Sequence, residues 1–128
     1  MNRKQMRLGN VMVDCKDEFF LQDFYHRLLG WEKITRYGCP GVESEEGVTF
    51  LFQAEIGYVP PVWPEEGKEQ QKQMHFDFQV VDVEEAVTYA QTLGATLAKS
   101  QYGGKTFVTL FDPAGHPFCL CAQDNPTG

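Results

Sequence analysis

The alternation of apolar and polar residues predicts the same strand-then-helix unit at two places in the chain. Residues 10–17 and 75–82 each alternate in character and end on an aspartate, and a stretch with helical spacing follows and closes on Leu-Gly. Successive strand side chains point to opposite sides, so each strand has two distinct faces. The apolar faces carry Val11, Val13, Cys15, Phe76, Phe78 and Val80, and the more polar faces carry Asn10, Met12, Asp14, His75, Asp77 and Gln79. We expect each helix to cover the apolar face.

Local chemistry marks the ends of both predicted helices. Asp17 and Asp82 are good N-cap residues, and Glu85 completes a capping box with Asp82. Gly30 and Gly94 supply the left-handed conformation that ends a helix. The apolar stripes are Phe20, Leu21, Phe24, Tyr25 and Leu28 in the first helix, and Val83, Ala86, Val87, Ala90 and Leu93 in the second.

Three more strand-like segments follow each helix. They cover residues 33–37, 41–44 and 48–53 in the first half, and residues 96–101, 106–111 and 118–121 in the second. Turn-forming sequences, Gly103-Gly104 and Asp112-Pro113-Ala114-Gly115, separate the later strands. The repetition predicts an α+β domain of two tandem βαβββ modules, at about residues 5–54 and 74–122. Residues 55–73 form the crossover, because their prolines break a sheet and their polar part has little to bury.

Composition and charge favour a globular protein and disfavour nucleic-acid and membrane partners. At 128 residues, 42% of them hydrophobic, the chain suits one globular domain over residues 1–128. A net charge of −7 repels phosphates, so we expect neither nucleic acid nor membrane as a partner. The basic start of the chain, Met1 to Gln5, has no apolar stretch behind it, which indicates a cytoplasmic protein. The cysteines are then expected to be reduced, and Cys119-x-Cys121 lacks the second pair of a structural zinc site.

Several runs of residues resemble the glyoxalase/bleomycin-resistance (vicinal oxygen chelate) superfamily. They are F-Y-H-R-L-L-G-W at 24–31, D-P-A-G-H-P-F-C-L at 112–120 and, for the glyoxalase-like branch, V-W-P at 62–64 followed by Q-M-H-F-D-F-Q-V-V-D at 73–82. The resemblance implies one curved mixed sheet around a concave ligand cleft, with the helices on the convex side. It also implies a homodimer.

Metal-dependent members of that superfamily bind a divalent ion through the first and last strands of each module, typically with His or Gln and then Glu. These positions fall on Asn10 and His75, on Cys119, and on either Leu51 or Gln53. Only His75 is an ordinary ligand. A hard divalent ion prefers oxygen and imidazole donors, so a metal is not favoured and the cofactor stays unidentified. An irregular set of His75 and Cys119, helped by Asp77, is the alternative.

The candidate site therefore lies on the polar strand faces. We expect His75 and Asp77 to be catalytic, since Asp77 on the same face can orient the imidazole for acid–base chemistry. A purely structural hydrogen bond from His75 to Asp77 or to a crossover carbonyl stays equally open. Trp63, on the crossover, is placed to close over an apolar ligand. The predicted ligand contacts are Asn10, Met12, Gln53, Trp63, His75, Gln79 and Cys119.

Three functions are compatible with these residues. The favoured one is a small-molecule-binding protein or metal-independent enzyme with an incomplete metal site. The second is a metal-dependent lyase, isomerase or dioxygenase that uses the irregular ligand set, with His75 as its metal ligand. The third is a drug-sequestering protein like the bleomycin-binding relatives.

Overall fold

The computed structural model describes residues 5–123, which form eight strands and two helices. In chain order the elements are β1 (Val11–Cys15), α1 (Glu18–Leu29), β2 (Glu32–Arg36), β3 (Cys39–Glu43), β4 (Thr49–Ala54), β5 (Phe76–Val80), α2 (Val83–Thr92), β6 (Thr96–Leu97), β7 (Phe107–Phe111) and β8 (Pro117–Ala122). Most of the basic N-terminal segment noted above, residues 1–4, lies outside the described residues. Neither helix of the described part is long and apolar enough to cross a membrane.

The elements fall into two compact units, one ending at Tyr58 and the other beginning at Val59. The first unit contains a four-stranded sheet in the order β1-β4-β3-β2, and the second a four-stranded sheet in the order β5-β8-β7-β6. In each sheet the first and last strands of the module pair in parallel and the others are antiparallel. The prediction of an α+β fold with tandem βαβββ modules is confirmed.

Helix α1 packs its apolar side on the first sheet, as the strand pattern predicts. Asp17 caps it by accepting a hydrogen bond from the Phe20 backbone N–H at 3.0 Å, and Gly30 ends it with a φ of 71°. The Tyr25 ring is buried and stacks on Phe52, with ring centroids 5.6 Å apart. The predicted stripe is wrong at Phe20, which is 55% exposed because it sits in the first turn at the edge of the packed face.

Gln22 is a buried polar residue in α1 that hydrophobic patterning did not predict. Its amide nitrogen donates to the backbone oxygens of Ile34 at 3.2 Å and Gly41 at 3.1 Å. A Cβ at Gly41 would lie 2.4 Å from the Phe50 backbone oxygen, so this position on β3 accepts no side chain. Gln22 thus ties the helix to two strands at a point of close backbone approach.

The second unit repeats this arrangement with a shorter edge strand. Asp82 caps α2 by accepting from the Glu85 backbone N–H at 3.0 Å, and Ala90 is buried where the helix packs on its sheet. Strand β6 ends at Leu97, so the predicted strand over 96–101 is wrong beyond that residue. Ala98 still donates its backbone N–H to the Thr109 oxygen at 3.1 Å. The Gln101 side chain then pairs with Thr109 in place of strand backbone, donating to the same oxygen at 2.8 Å and accepting from the Thr109 N–H at 2.9 Å.

The predicted turn after β7 is built around a buried aspartate. Gly115 donates its backbone N–H to the Asp112 oxygen at 2.8 Å. The Asp112 carboxylate accepts from the backbone N–H of Ala114 at 2.9 Å and of His116 at 3.0 Å, and lies 2.9 Å from the His116 Nδ1. Both oxygens of this buried carboxylate therefore have hydrogen-bond partners, and the turn leads directly into β8.

Candidate functional site

Three side chains that could transfer a proton or bind a metal lie together on the polar face of the second sheet. Asp77 lies in β5 directly opposite Cys119 in β8, and His75 immediately precedes β5. The His75 Nε2 is 3.2 Å from the Asp77 Oδ1, and one donor atom from each of His75, Asp77 and Cys119 lies within 4.8 Å of the others. The His75 side chain is 34% exposed and that of Asp77 60%, so both can meet a ligand from solvent.

The alternating burial along β5 explains this placement. Phe76, Phe78 and Val80 share one face and are partly buried, whereas Asp77 and Gln79 on the other face are exposed. The Phe78 ring packs edge-on against Phe118 of β8, with centroids 6.0 Å apart. The register of β5 on β8 brings Asp77 beside Cys119 on the opposite face.

Cys119 is a protonated thiol rather than a ready nucleophile. Burial raises its pKa, the Asp77 carboxylate raises it further, and the Thr109 hydroxyl and Lys72 ammonium partly offset these effects. Burial, with the nearby Asp77 and Cys119, raises the pKa of the Cys121 thiol to about 11. Because the thiolate is the reactive form, neither cysteine is activated at neutral pH without a further cation.

Thr109 and Gln101 belong to the surroundings of Cys119 and were missed from the sequence. The Thr109 Oγ1 is 3.4 Å from the Cys119 Sγ, because the two residues are direct neighbours across β7 and β8. Gln101 pairs with both the N–H and the C=O of the Thr109 backbone, as described above. The strand register could have found Thr109, but the Gln101 contact joins a loop to a strand and left no periodic signal.

Trp63, in the crossover that precedes His75, contacts one aromatic and one cationic side chain. Its ring meets Tyr102 edge-on, with centroids 6.0 Å apart, and the Lys72 Nζ lies 4.6 Å from its centroid. The backbone of the crossover closes on itself where Val62 donates to the Gln70 oxygen at 2.8 Å. Lys72 and Tyr102 were not among the predicted site residues.

The remaining predicted contacts divide between the two units. Gln79 is exposed on the same face as Asp77 and pairs with Cys121. Asn10 precedes β1, while Met12 and Gln53 are exposed residues of β1 and β4 that share the polar face of the first sheet. A cleft lined by residues of both modules stays a prediction, as does the homodimer.

A family model decides the classification. The model of the glyoxalase-like domain matches residues 10–121. The chain belongs to the glyoxalase-like domain family. No curated protein shows a significant sequence match to this glyoxalase-like chain.

Solved structures share the glyoxalase-like fold at low sequence identity. A glyoxalase/bleomycin resistance protein/dioxygenase family enzyme from Burkholderia phytofirmans PsJN is 20% identical, with a TM-score of 0.66, and the match covers 91% of this chain and 98% of that chain. The fosfomycin resistance protein FosX from Listeria monocytogenes is 17% identical, with a TM-score of 0.68 and coverage of 92% and 91%. A FosX mutant complexed with Mn(II) and 1S,2S-dihydroxypropylphosphonic acid is 16% identical, with a TM-score of 0.66 and coverage of 90% and 88%. Likeness at this identity establishes the fold alone.

The possible metal ligands of this glyoxalase-like domain suit Zn²⁺ better than Mg²⁺ or Mn²⁺. His75, Asp77 and Cys119 offer an imidazole, a carboxylate and a thiol within 4.8 Å of one another. Mixed nitrogen, oxygen and sulfur donors are typical of Zn²⁺, whereas Mg²⁺ and Mn²⁺ prefer oxygen ligands. A bound cation would also favour loss of the Cys119 proton, which the protein alone disfavours. The residues therefore fit a zinc-type ion and not a hard octahedral one.

Proposed function

We propose that the chain is a small-molecule-binding protein whose ligand lies on the polar face of the second sheet, where His75 exchanges a proton with it without a metal. The observation that carries this proposal is the 3.2 Å contact between the His75 Nε2 and the Asp77 Oδ1. An ionised carboxylate can only accept, so Asp77 holds the imidazole proton on Nε2. Nδ1 then keeps its lone pair, which makes it the atom that takes a proton from a ligand.

Other groups of the second unit support binding at this place. Gln79 and Cys119 share the face with Asp77, and the Trp63 ring supplies apolar surface on the crossover. The protonated Cys119 thiol would contact the ligand as a weakly polar group and would not act as a nucleophile.

Binding can be tested by NMR with a library of small fragments. We expect bound fragments to shift the backbone amide signals of Asp77, Thr109 and Cys119, and to lose affinity in His75→Ala. Glu84→Ala, on an exposed position of α2, is the matched control and should change nothing. Fragment shifts confined to other parts of the protein, or none at all, would reject the site.

The acid–base role has its own measurement. Histidine-selective ¹⁵N spectra should show the Nε2–H tautomer of His75 in the wild type and a loss of that preference in Asp77→Asn. A mixture of tautomers in the wild type would reject the role assigned to Asp77, even if fragments bind.

The second candidate is a zinc-dependent enzyme, which the three donor atoms of His75, Asp77 and Cys119 favour. Calorimetric titration with Zn²⁺ should then give one site per chain, lost in His75→Ala and Cys119→Ser. Cys39→Ser, in β3 of the first unit, is the control for the thiol and should bind zinc as the wild type does. If the purified protein holds zinc and EDTA removes both the metal and fragment binding, the metal-independent proposal is wrong.

A further inference from the structure

Lys72 lies three residues before His75 of the His75–Asp77–Cys119 cluster and contacts an aromatic ring. No carboxylate of residues 5–123 lies within ion-pair distance of its ammonium group. Its Nζ instead lies 4.6 Å from the centre of the Trp63 ring. Such a cation–π contact holds an ammonium group in place while leaving its hydrogen-bond donors available.

The positive charge of Lys72 affects the pKa of one member of the cluster. It lowers the pKa of the Cys119 thiol, against the larger effect of burial, and Lys72 precedes His75 of the cluster by three residues in the chain. The only acidic side chain of the cluster, Asp77, already faces the His75 imidazole at 3.2 Å. An anionic group that approaches from solvent therefore finds its compensating charge at Lys72.

Aromatic surface adjoins the same cation. Trp63 and Tyr102 meet edge-on at 6.0 Å, and the Tyr102 ring is 72% exposed. Gln101, the neighbour of Tyr102, is anchored to the backbone oxygens of Ala98 and Thr109, both at 2.8 Å. The loop that carries Tyr102 is therefore hydrogen-bonded to β7, the strand that pairs with β8 at Cys119. The exposed Tyr102 ring offers a flat apolar surface for a ring of similar size.

We propose that the ligand is a small arylcarboxylate, whose carboxylate pairs with Lys72 and whose ring packs on Trp63 and Tyr102. This inference rests on the proposed function, because the reacting part of the ligand would lie against His75. The charge-assisted hydrogen bond to Lys72 gives orientation, and the aromatic pair gives selectivity for a flat ring.

The test compares three probes by NMR titration of the full chain: benzoate, its neutral isostere benzamide, and acetate, which has the charge but no ring. Benzoate should shift the amides of Lys72, Asp77 and Cys119, with an affinity at least about tenfold above that of the other two, the size of one charge-assisted hydrogen bond. Equal affinity of benzoate and benzamide would overturn the inference.

Matched variants locate the two contacts. Lys72→Ala should weaken benzoate about tenfold or more and Lys72→Arg should restore most of it, whereas Lys68→Ala, in the same crossover, should leave it unchanged. Tyr102→Ala should weaken benzoate but not acetate, and Tyr89→Ala on α2 should weaken neither. A loss in Lys68→Ala as large as in Lys72→Ala would show only a general charge effect and reject the assignment.

The outcomes also separate this inference from the proposed function. If neutral fragments shift the Asp77 and Cys119 amides but benzoate does not, the site stands and the arylcarboxylate is wrong. If neither kind of probe shifts them, both proposals fail.

Discussion

Alkylation of Cys121 should be about a hundredfold slower in the folded protein than in the unfolded chain at pH 8. The structure raises the pKa of this thiol to about 11, from an ordinary value of 9.0. At pH 8 a thiol with the ordinary value is about one-tenth ionised, and one with a pKa of 11 only about one-thousandth. Because the thiolate is the form that reacts, the two fractions set the ratio of the rates.

The assay is iodoacetamide labelling followed by peptide mass spectrometry, with the same protein unfolded in guanidinium chloride as the internal reference. In the folded protein the labelling rate of Cys121 should rise about tenfold per pH unit from 8 to 10, whereas in the unfolded chain it should level off above about pH 9. Circular dichroism at each pH checks that the protein stays folded. Asp77→Asn should speed labelling of the folded protein, because the Asp77 charge contributes to the shift.

A labelling rate in the folded protein that levels off below pH 10 would refute this reasoning. The sign of the linked stability change is a second check. Since the folded state holds the Cys121 proton more tightly than the unfolded state, the free energy of unfolding should fall as pH rises from about 9 through 11. A gain in stability over that range on account of Cys121 would contradict the raised pKa.

Three stability predictions follow from the packing and can be measured by urea unfolding. Gln22→Leu should lower the free energy of unfolding by about 1–3 kcal/mol, because it removes the amide that donates to two backbone oxygens. The control Gln91→Leu, on the exposed side of α2, should change the free energy of unfolding by less than about 0.5 kcal/mol. Gly41→Ala should cost roughly 1–3 kcal/mol through the clash of its Cβ with neighbouring backbone, and Gly9→Ala, where a Cβ meets nothing within 4 Å, is the control. Asp82→Ala should cost about 1 kcal/mol by removing the cap of α2, and no change on removing it would contradict the capping geometry.

The sequence predicts what is repeated and local, and misses what joins distant segments. Asp82 and Gly30 mark helix ends because a cap acts within one turn of chain. The faces of β5 follow from alternation alone, and these faces indicate that His75 and Asp77 are neighbours. The early end of β6 had no such signal, because the Gln101 amide that pairs with Thr109 beyond it reaches from a loop.

Position 119 shows the same limit for the candidate site. The resemblance placed a last-strand ligand there, and the pairing of β8 with both β5 and β7 places Asp77 on one side of it and Thr109 on the other. The pattern could not indicate that burial and Asp77 together keep this thiol protonated. Lys72 was missed because nothing in the polar crossover distinguishes it from Lys68 until the chain folds back onto Trp63.

The pairing of β8 with β5 constrains which side chains positions 119 and 77 can hold together. A glutamate in place of Cys119 would set a second carboxylate directly opposite Asp77, on a face where the present side chain is almost fully buried. Without a bound cation, two like charges at that separation repel each other, and one of the two carboxyl groups would have to stay protonated. Substitutions at 119 and 77 are therefore expected to be non-additive, because a neutral residue at one position relieves the repulsion at the other.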